Sequence, residues 1–237
     1  MEKRTIQLSK RLQTVASFLS AGTTFADIGS DHAYLPCYVC LRDSSAQAIA
    51  GEVNVGPYKR ALKTVQHFQL EQQIDVRLGS GLSILRPGEV CEIVIAGMGG
   101  SLIRTILEEG KDNLAGVERI IAQPNIDERS VRRWLTRHRF LITYEKLIEE
   151  NGHFYEVIVA DQQPAYSMKS RLSEKALLFG PKLLERKSPL FVQKWKGEYK
   201  KRFRLIQQMK QAQSPPNEKI VQLKKEIDWI EEVLKDG

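Results

Sequence analysis

The chain has 237 residues, 42% of them hydrophobic, and 36 Lys and Arg against 29 Asp and Glu leave a formal net charge of +7. That length suits one domain of about 150 residues plus an extension, and no apolar run approaches the ~20 residues that span a bilayer. Only three cysteines are present, which argues against a disulfide framework; the charged N-terminus has no apolar stretch of the secretory kind, so a cytoplasmic protein is expected.

Apolar runs alternate with helix-like segments through the first two thirds. Candidate strands are 25–28, 46–51, 74–78, 92–96, 119–123, 140–147 and 154–160, with helical stretches near 5–20, 33–42, 56–70, 100–109 and 127–138. Such alternation predicts a doubly wound parallel sheet with ligands at the carboxyl ends of its strands. Only Glu149-Glu150-Asn151-Gly152 separates the last two strands, which forces a hairpin and one antiparallel strand. A mostly parallel seven-stranded sheet closed by a hairpin is the Rossmann-like layout of class I methyltransferases.

The first strand runs into Asp27-Ile-Gly29-Ser30-Asp31-His32-Ala-Tyr34. This resembles a dinucleotide-binding turn, but Asp31 stands where that pattern needs a second glycine against pyrophosphate. A carboxylate there repels phosphate and attracts a cation, which favours S-adenosylmethionine, a sulfonium without phosphate, over a nicotinamide cofactor. Glu52 ends the second strand, 23 residues after Gly29, at the offset of a residue that accepts ribose hydroxyls. Gly79-Ser80-Gly81 follows the third strand and Ala96-Gly97-Met98-Gly99-Gly100 the fourth. Four strand ends on one sheet edge thus carry turn or polar chemistry. The fourth loop lacks the Asp/Asn-Pro-Pro-aromatic run used on exocyclic amines, which suits a ring nitrogen that needs positioning more than deprotonation. Gln123-Pro124-Asn125 after the fifth strand offers amides to a base, and His153 and Tyr155 open the last strand. Cys37 and Cys40 form a Cys-x-x-Cys pair, but only Cys91 remains as a further thiol, so no metal site is expected and the pair reads as buried thiols.

Residues 1–160 carry 19 basic and 19 acidic residues, and residues 161–237 carry 17 and 10, so the entire excess lies in the last third. A boundary near 160 separates an expected catalytic domain, 1–160, from a helical one, 161–237. A short helix near 171–178 is followed by a long one over 188–211, a break at Ser214-Pro-Pro-Asn217, and a second long helix over 218–235. Ile220, Leu223, Ile227, Ile230 and Leu234 step at coiled-coil spacing, and Val192, Trp195, Tyr199, Ile206 and Met209 match them, with Arg202 interrupting. The two helices are expected to pair antiparallel. The aromatics Phe191, Trp195, Tyr199 and Phe203 read as hairpin core. Lys194, Lys200, Lys201, Arg202 and Arg204 are the phosphate-binding candidates, extended by a cluster that includes Arg132 and Arg133.

Ala-Asp-Ile-Gly-Ser-Asp-His-Ala-Tyr-Leu-Pro, Ala-Gly-Glu-Val, Gly-Pro-Tyr, Ile-Ala-Gly-Met-Gly-Gly, Gln-Pro-Asn and Gly-His-Phe-Tyr-Glu, all within 25–156, closely resemble the bacterial tRNA adenine-22 N1-methyltransferase family, TrmK. The resemblance implies S-adenosylmethionine-dependent methylation of N1 of an adenine in the tRNA D-arm, with a basic C-terminal coiled coil. It implies a cofactor site drawn from Asp27, Gly29, Ser30, Asp31, Glu52, Val53, Ser80, Gly81, Ala96, Gly97, Met98 and Gly99. Asp31, His32, Tyr34, Asn125 and Tyr155 then lie near the methyl group or the target base. Ser80 departs from the Asp or Asn more frequent in relatives. The expected partner is tRNA, with no membrane and no metal, and the chain is expected to act as a monomer. The alternatives are a methyltransferase for another RNA site such as rRNA, a non-catalytic RNA-binding protein on this fold, and an NAD-dependent oxidoreductase, against which Asp31 argues.

Overall fold

The computed structural model describes residues 5–163, 172–211 and 216–235. The chain divides into two compact units, Met1–Arg171 and Leu172–Gly237. No helix among the described residues is long and apolar enough to cross a membrane.

The first unit is built on one seven-stranded sheet. Its strands are β1 (Thr24–Ile28), β2 (Gln47–Glu52), β3 (Ile74–Leu78), β4 (Glu92–Gly99), β5 (Arg119–Ile126), β6 (Phe140–Glu150) and β7 (His153–Gln162). The spatial order is β3-β2-β1-β4-β5-β7-β6. β1 to β5 pair in parallel, and β7 runs antiparallel to both β5 and β6. β1 and β4 are neighbours, so the order reverses there and leaves a crevice at their carboxyl ends. The central strands are buried on both faces, hence the near-continuous runs Phe25–Ile28 and Ile93–Ile95. Asn151 and Gly152 turn the β6–β7 hairpin with φ of +53° and +76°, the left-handed pair a two-residue turn demands.

Among the described residues five α-helices accompany the sheet: α1 (Lys10–Ala16), α2 (Tyr34–Cys40), α3 (Val55–Phe68), α4 (Gly100–Glu109) and α5 (Glu128–Arg137). α1 is much shorter than the 5–20 stretch the pattern predicts, because Ser9 caps it, its hydroxyl accepting from the Leu12 amide at 3.2 Å. β4 and β5 are longer than expected. The glycine run after Ala96 stays paired with β5 through two register irregularities, one between Ala96 and Met98 and one between Met98 and Gly99.

In the second unit α6 (Glu174–Phe179) and α7 (Pro181–Arg186) precede the long helices α8 (Pro189–Lys210) and α9 (Asn217–Lys235). The sequence pattern anticipates one short helix where Gly180, at φ +86°, divides two. Phe179, Phe191 and Trp195 form an aromatic cluster, with Phe179 and Trp195 rings 4.3 Å apart. Ile206, Ile220 and Ile227 pack with Tyr199, Met209 and Leu223. Tyr199 donates to Glu231 at 2.9 Å, and Arg202 donates to Glu226 at 2.9 Å, so α8 and α9 run antiparallel. Residues 212–215, which include the first two residues of the expected Pro-rich break, lie outside the described residues.

Candidate active site at the carboxyl edge of the sheet

The turn after β1 is held in an unusual backbone. Gly29 has φ +71°, and the amides of Gly29 and Ser30 donate to the Gly51 carbonyl at 2.9 and 3.0 Å. A β-carbon on Gly29 would lie 2.1 Å from the Met98 methyl and push it aside, and the positive φ itself favours glycine here. Asp31, His32 and Ala33 then follow with φ of +46°, +75° and +59° before α2 begins. Left-handed backbone costs about 1–2 kcal/mol per non-glycine residue. Three in succession store backbone strain of the kind that clusters at ligand sites.

That turn gathers carboxyl groups. Asp27 is 4% exposed, and Ser30 donates to its Oδ2 at 2.6 Å. Burial pushes the Asp27 carboxyl up to about 7; Ser30 opposes the shift, and the nearby Glu52 and Asp31 add to it. Glu52 is also buried, its Oε1 accepting from the His32 amide at 3.3 Å. Burial raises its pKa, Asp31 contributes, and the His32 amide works against both. Asp31 itself points to solvent, with His32 Nε2 3.3 Å from its Oδ1, and the His32 and Tyr34 rings stack with centroids 5.5 Å apart. An acidic, phosphate-repelling cluster of this kind suits a cationic ligand bearing a diol.

Val53 is exposed beside Glu52, and Ser80 and Gly81 follow β3 on the same sheet edge. The Ser80 carbonyl accepts from the Ser83 hydroxyl at 2.7 Å. Gly97 has φ +79°, Met98 reaches the β1 turn, and Gly99 leads into α4. Asn125 is exposed and donates from Nδ2 to the Gly97 carbonyl at 2.8 Å. Tyr155 is half-buried at the start of β7, under the Arg11 guanidinium at 5.5 Å.

Three expectations are corrected. Gln123 does not face a base: it is 0% exposed, its Oε1 accepting from Gly97 N at 3.1 Å and from Arg11, its Nε2 donating to the Pro124 carbonyl at 2.8 Å. Arg132 belongs to no RNA surface. Its side chain is fully buried between Glu145 and Glu156, because α5 turns that side inward onto β6 and β7. Arg202 is no free phosphate ligand either, since Glu226 and Glu198 hold it inside the helix pair. Lys194 leans over Trp195 at 5.5 Å. Lys200, Lys201 and Arg204 are exposed, Lys201 within reach of Glu198 at 2.8 Å, whereas Arg133 is half-buried. Cys37 and Cys40 are buried, and burial pushes both thiols to about 12. Arg11 had no signal in the sequence, because a single basic residue on a short polar helix carries no motif.

A seven-stranded sheet of this order, with an acidic strained turn after β1 and a glycine-rich β4 end, defines a class I methyltransferase fold. Residues 25–232 match the family described as TrmK, tRNA (adenine(22)-N(1))-methyltransferase. The chain is 42% identical over 235 residues to the tRNA (adenine(22)-N(1))-methyltransferase of Bacillus subtilis, covering 98% of this chain and 99% of that one. The crystal structure of the B. subtilis m1A22 tRNA methyltransferase TrmK superposes with TM-score 0.88 at 42% identity, over 97% and 99% of the two chains. A Streptococcus pneumoniae protein solved in complex with S-adenosyl-L-methionine does so with TM-score 0.84 at 43% identity, over 96% and 100%. The chain belongs to the TrmK family.

Proposed function

We propose that this chain methylates N1 of adenine 22 in the D-arm of tRNA, with S-adenosylmethionine as methyl donor. The observation that carries the reading is the carboxyl-lined left-handed turn Gly29–Ala33 at the crevice between β1 and β4, in a chain 42% identical to a tRNA (adenine(22)-N(1))-methyltransferase. The donor set fits that cofactor: Glu52 suits the ribose hydroxyls, Asp27 the amino group, and Asp31 the cationic end. When bound, S-adenosylmethionine would supply an electrophilic methyl on sulfur; adenine N1 would take it with a lone pair that needs no prior deprotonation, the methyl–sulfur bond breaking to leave neutral S-adenosylhomocysteine. Asp31 then faces the positive charge that moves from sulfur to the methylated ring. N1 lies on the Watson–Crick edge, so the adenine is unpaired before it reacts. Asn125 and Tyr155 orient it, and His32 and Tyr34 offer a stacked face beside the turn.

In this reading the second unit holds the tRNA through the exposed Lys200, Lys201 and Arg204 of α8, and the protein works as a monomer in the cytoplasm. Full-length protein, tRNA transcript and S-adenosylmethionine are expected to give N1-methyladenine at position 22, seen as one primer-extension stop that disappears from a transcript with guanine there. A stop elsewhere, or a product only on rRNA, refutes the assignment. Replacing Lys200, Lys201 and Arg204 together by alanine is expected to raise KM for tRNA and flatten its dependence on log salt by roughly 0.7–0.9 per lost contact. An unchanged slope removes α8 from the binding surface.

Asp27 makes cofactor binding depend on pH. Its carboxyl sits near 7 in the free protein, against an ordinary 3.8, so the folded chain keeps a proton that the unfolded chain releases. The free protein therefore loses stability as pH rises from about 4 to about 7. A cation binds the ionised form better, so affinity for S-adenosylmethionine is expected to rise about tenfold from pH 6 to pH 8. Calorimetry across that range checks it: the wild type shows the rise and Asp27→Asn shows none, whereas a flat wild-type curve excludes Asp27 as the linked group.

A further inference from the structure

Arg11 is a half-buried cation with no carboxylate partner among the described residues. Arg77 meets Glu89 at 2.6 Å, Arg119 meets Asp161 at 2.7 Å, Arg132 meets Glu145 at 2.6 Å, and Arg202 meets Glu226 at 2.9 Å. Arg11 has an amide oxygen, Gln123 Oε1, and the face of Tyr155 5.5 Å from its Cζ. Neither neutralises it. A guanidinium carries five N–H donors, and this one is held in place with most of its donors uncommitted.

The location is set by three separate elements. α1 is tied to the β6–β7 hairpin, the Lys10 amide donating to Glu150 at 2.6 Å and Lys10 Nζ to the Glu149 carbonyl at 3.3 Å. Gln123 Oε1, which receives Arg11, also receives Gly97 N at 3.1 Å, and Gln123 Nε2 reaches Asn125 Oδ1 at 3.3 Å. A β-carbon on Gly97 would lie 3.5 Å from Arg11 Nη1, so the guanidinium rests against bare β4 backbone. Its neighbours thus belong to the ends of β4, β5 and β7, whereas the carboxyl cluster of Asp27, Asp31 and Glu52 belongs to β1 and β2.

We propose that Arg11 binds the phosphodiester of the target nucleotide as its adenine enters beside Asn125 and Tyr155. This rests on the tRNA-methylating reading above. A cation fixed near a site that generates a cationic base is unfavourable unless an anion arrives with the substrate, and a nucleotide brings its anion next to its base. Arginine's planar fork suits a phosphate.

The test uses full-length protein with Arg11→Ala, Arg11→Gln and Arg11→Lys, each with a thermal melt, tRNA kinetics at several salt concentrations and calorimetry with S-adenosylmethionine. Arg11→Ala is expected to raise KM for tRNA about tenfold and lower its log-salt slope by about 0.7–0.9, the share of one phosphate contact, with cofactor Kd unchanged. Arg11→Lys recovers most of both effects. Arg11→Gln, which retains a donor for Gln123 and lacks charge, matches Arg11→Ala. Wild-type KM and slope in Arg11→Gln would overturn the proposal in favour of a purely positioning role. A weakened cofactor Kd with unchanged KM would overturn it in favour of the cofactor's carboxylate. Failure of the wild type to methylate position 22 sinks the functional reading, and is distinguished by being seen without any substitution.

Discussion

Asp31→Asn is expected to lower the single-turnover rate of tRNA methylation by about two orders of magnitude and to leave the melting temperature within a few degrees of wild type. The size follows from what one fixed electrostatic group contributes where charge develops, on the order of 10²–10³ in rate. The Asp31 side chain is 84% exposed in the free protein, so water screens it until substrate covers the turn, which places the effect at the lower end. Asparagine is the informative replacement. Asp31 has φ +46°, a conformation asparagine tolerates and alanine resists, so Asp31→Asn removes the charge while keeping the turn. Asp31→Ala adds backbone strain to the lost charge and should fall further. The substitution also relieves Asp27 and Glu52, whose carboxyls Asp31 helps to raise, so both ionise more readily and partly compensate in cofactor binding. The effect therefore belongs to the rate more than to cofactor Kd. A wild-type single-turnover rate in Asp31→Asn takes this carboxylate out of the chemistry.

Arg132→Ala is expected to destabilise the protein by about 3–5 kcal/mol, because removing one partner strands the others as uncompensated buried charge. Arg132 donates to Glu145 at 2.6 Å and to Glu156, and all three side chains are buried. The two carboxylates raise the arginine's pKa against the opposing effect of its burial. In Arg132→Ala the glutamates keep their burial and lose their cation. For a chain of this length such a loss lowers Tm by about 6–20 °C. Urea unfolding measures the size of the deficit. Replacing the three residues together by apolar ones of similar volume should recover most of the stability. A deficit below about 1 kcal/mol in Arg132→Ala would mean that the site hydrates or collapses instead.

The strands of the catalytic unit were legible because a parallel sheet buries both faces of its central strands, leaving unbroken apolar runs such as Phe25–Ile28 and Ile93–Ile95. The β6–β7 turn was legible because Asn-Gly is the residue pair that adopts two positive φ values at little cost. Strand ends were less so. β4 continues past Ala96 because β5 lies beside it and supplies hydrogen bonds that no local pattern announces. Gly180 splitting α6 from α7 is a single residue in a short apolar stretch, too brief for periodicity to resolve.

Among functional residues, the sequence by itself determined that Asp27, Gly29, Asp31 and Glu52 share one sheet edge, since that follows from strand ends and the order of elements. Basic residues were another matter. Arg132 and Lys200 are the same kind of letter in a basic run, yet one is buried between two glutamates and the other stands in solvent. Helix phase and the carboxylates of distant strands decide that difference. The left-handed run at Asp31–Ala33 and the reach of Arg11 to Gln123 and Tyr155 were decided only by tertiary structure. Both depend on contacts between segments far apart in the chain: β2 fastening the turn after β1, and the hairpin fastening α1. Local residue chemistry chooses which groups are available, and long-range packing chooses which of them face the ligand.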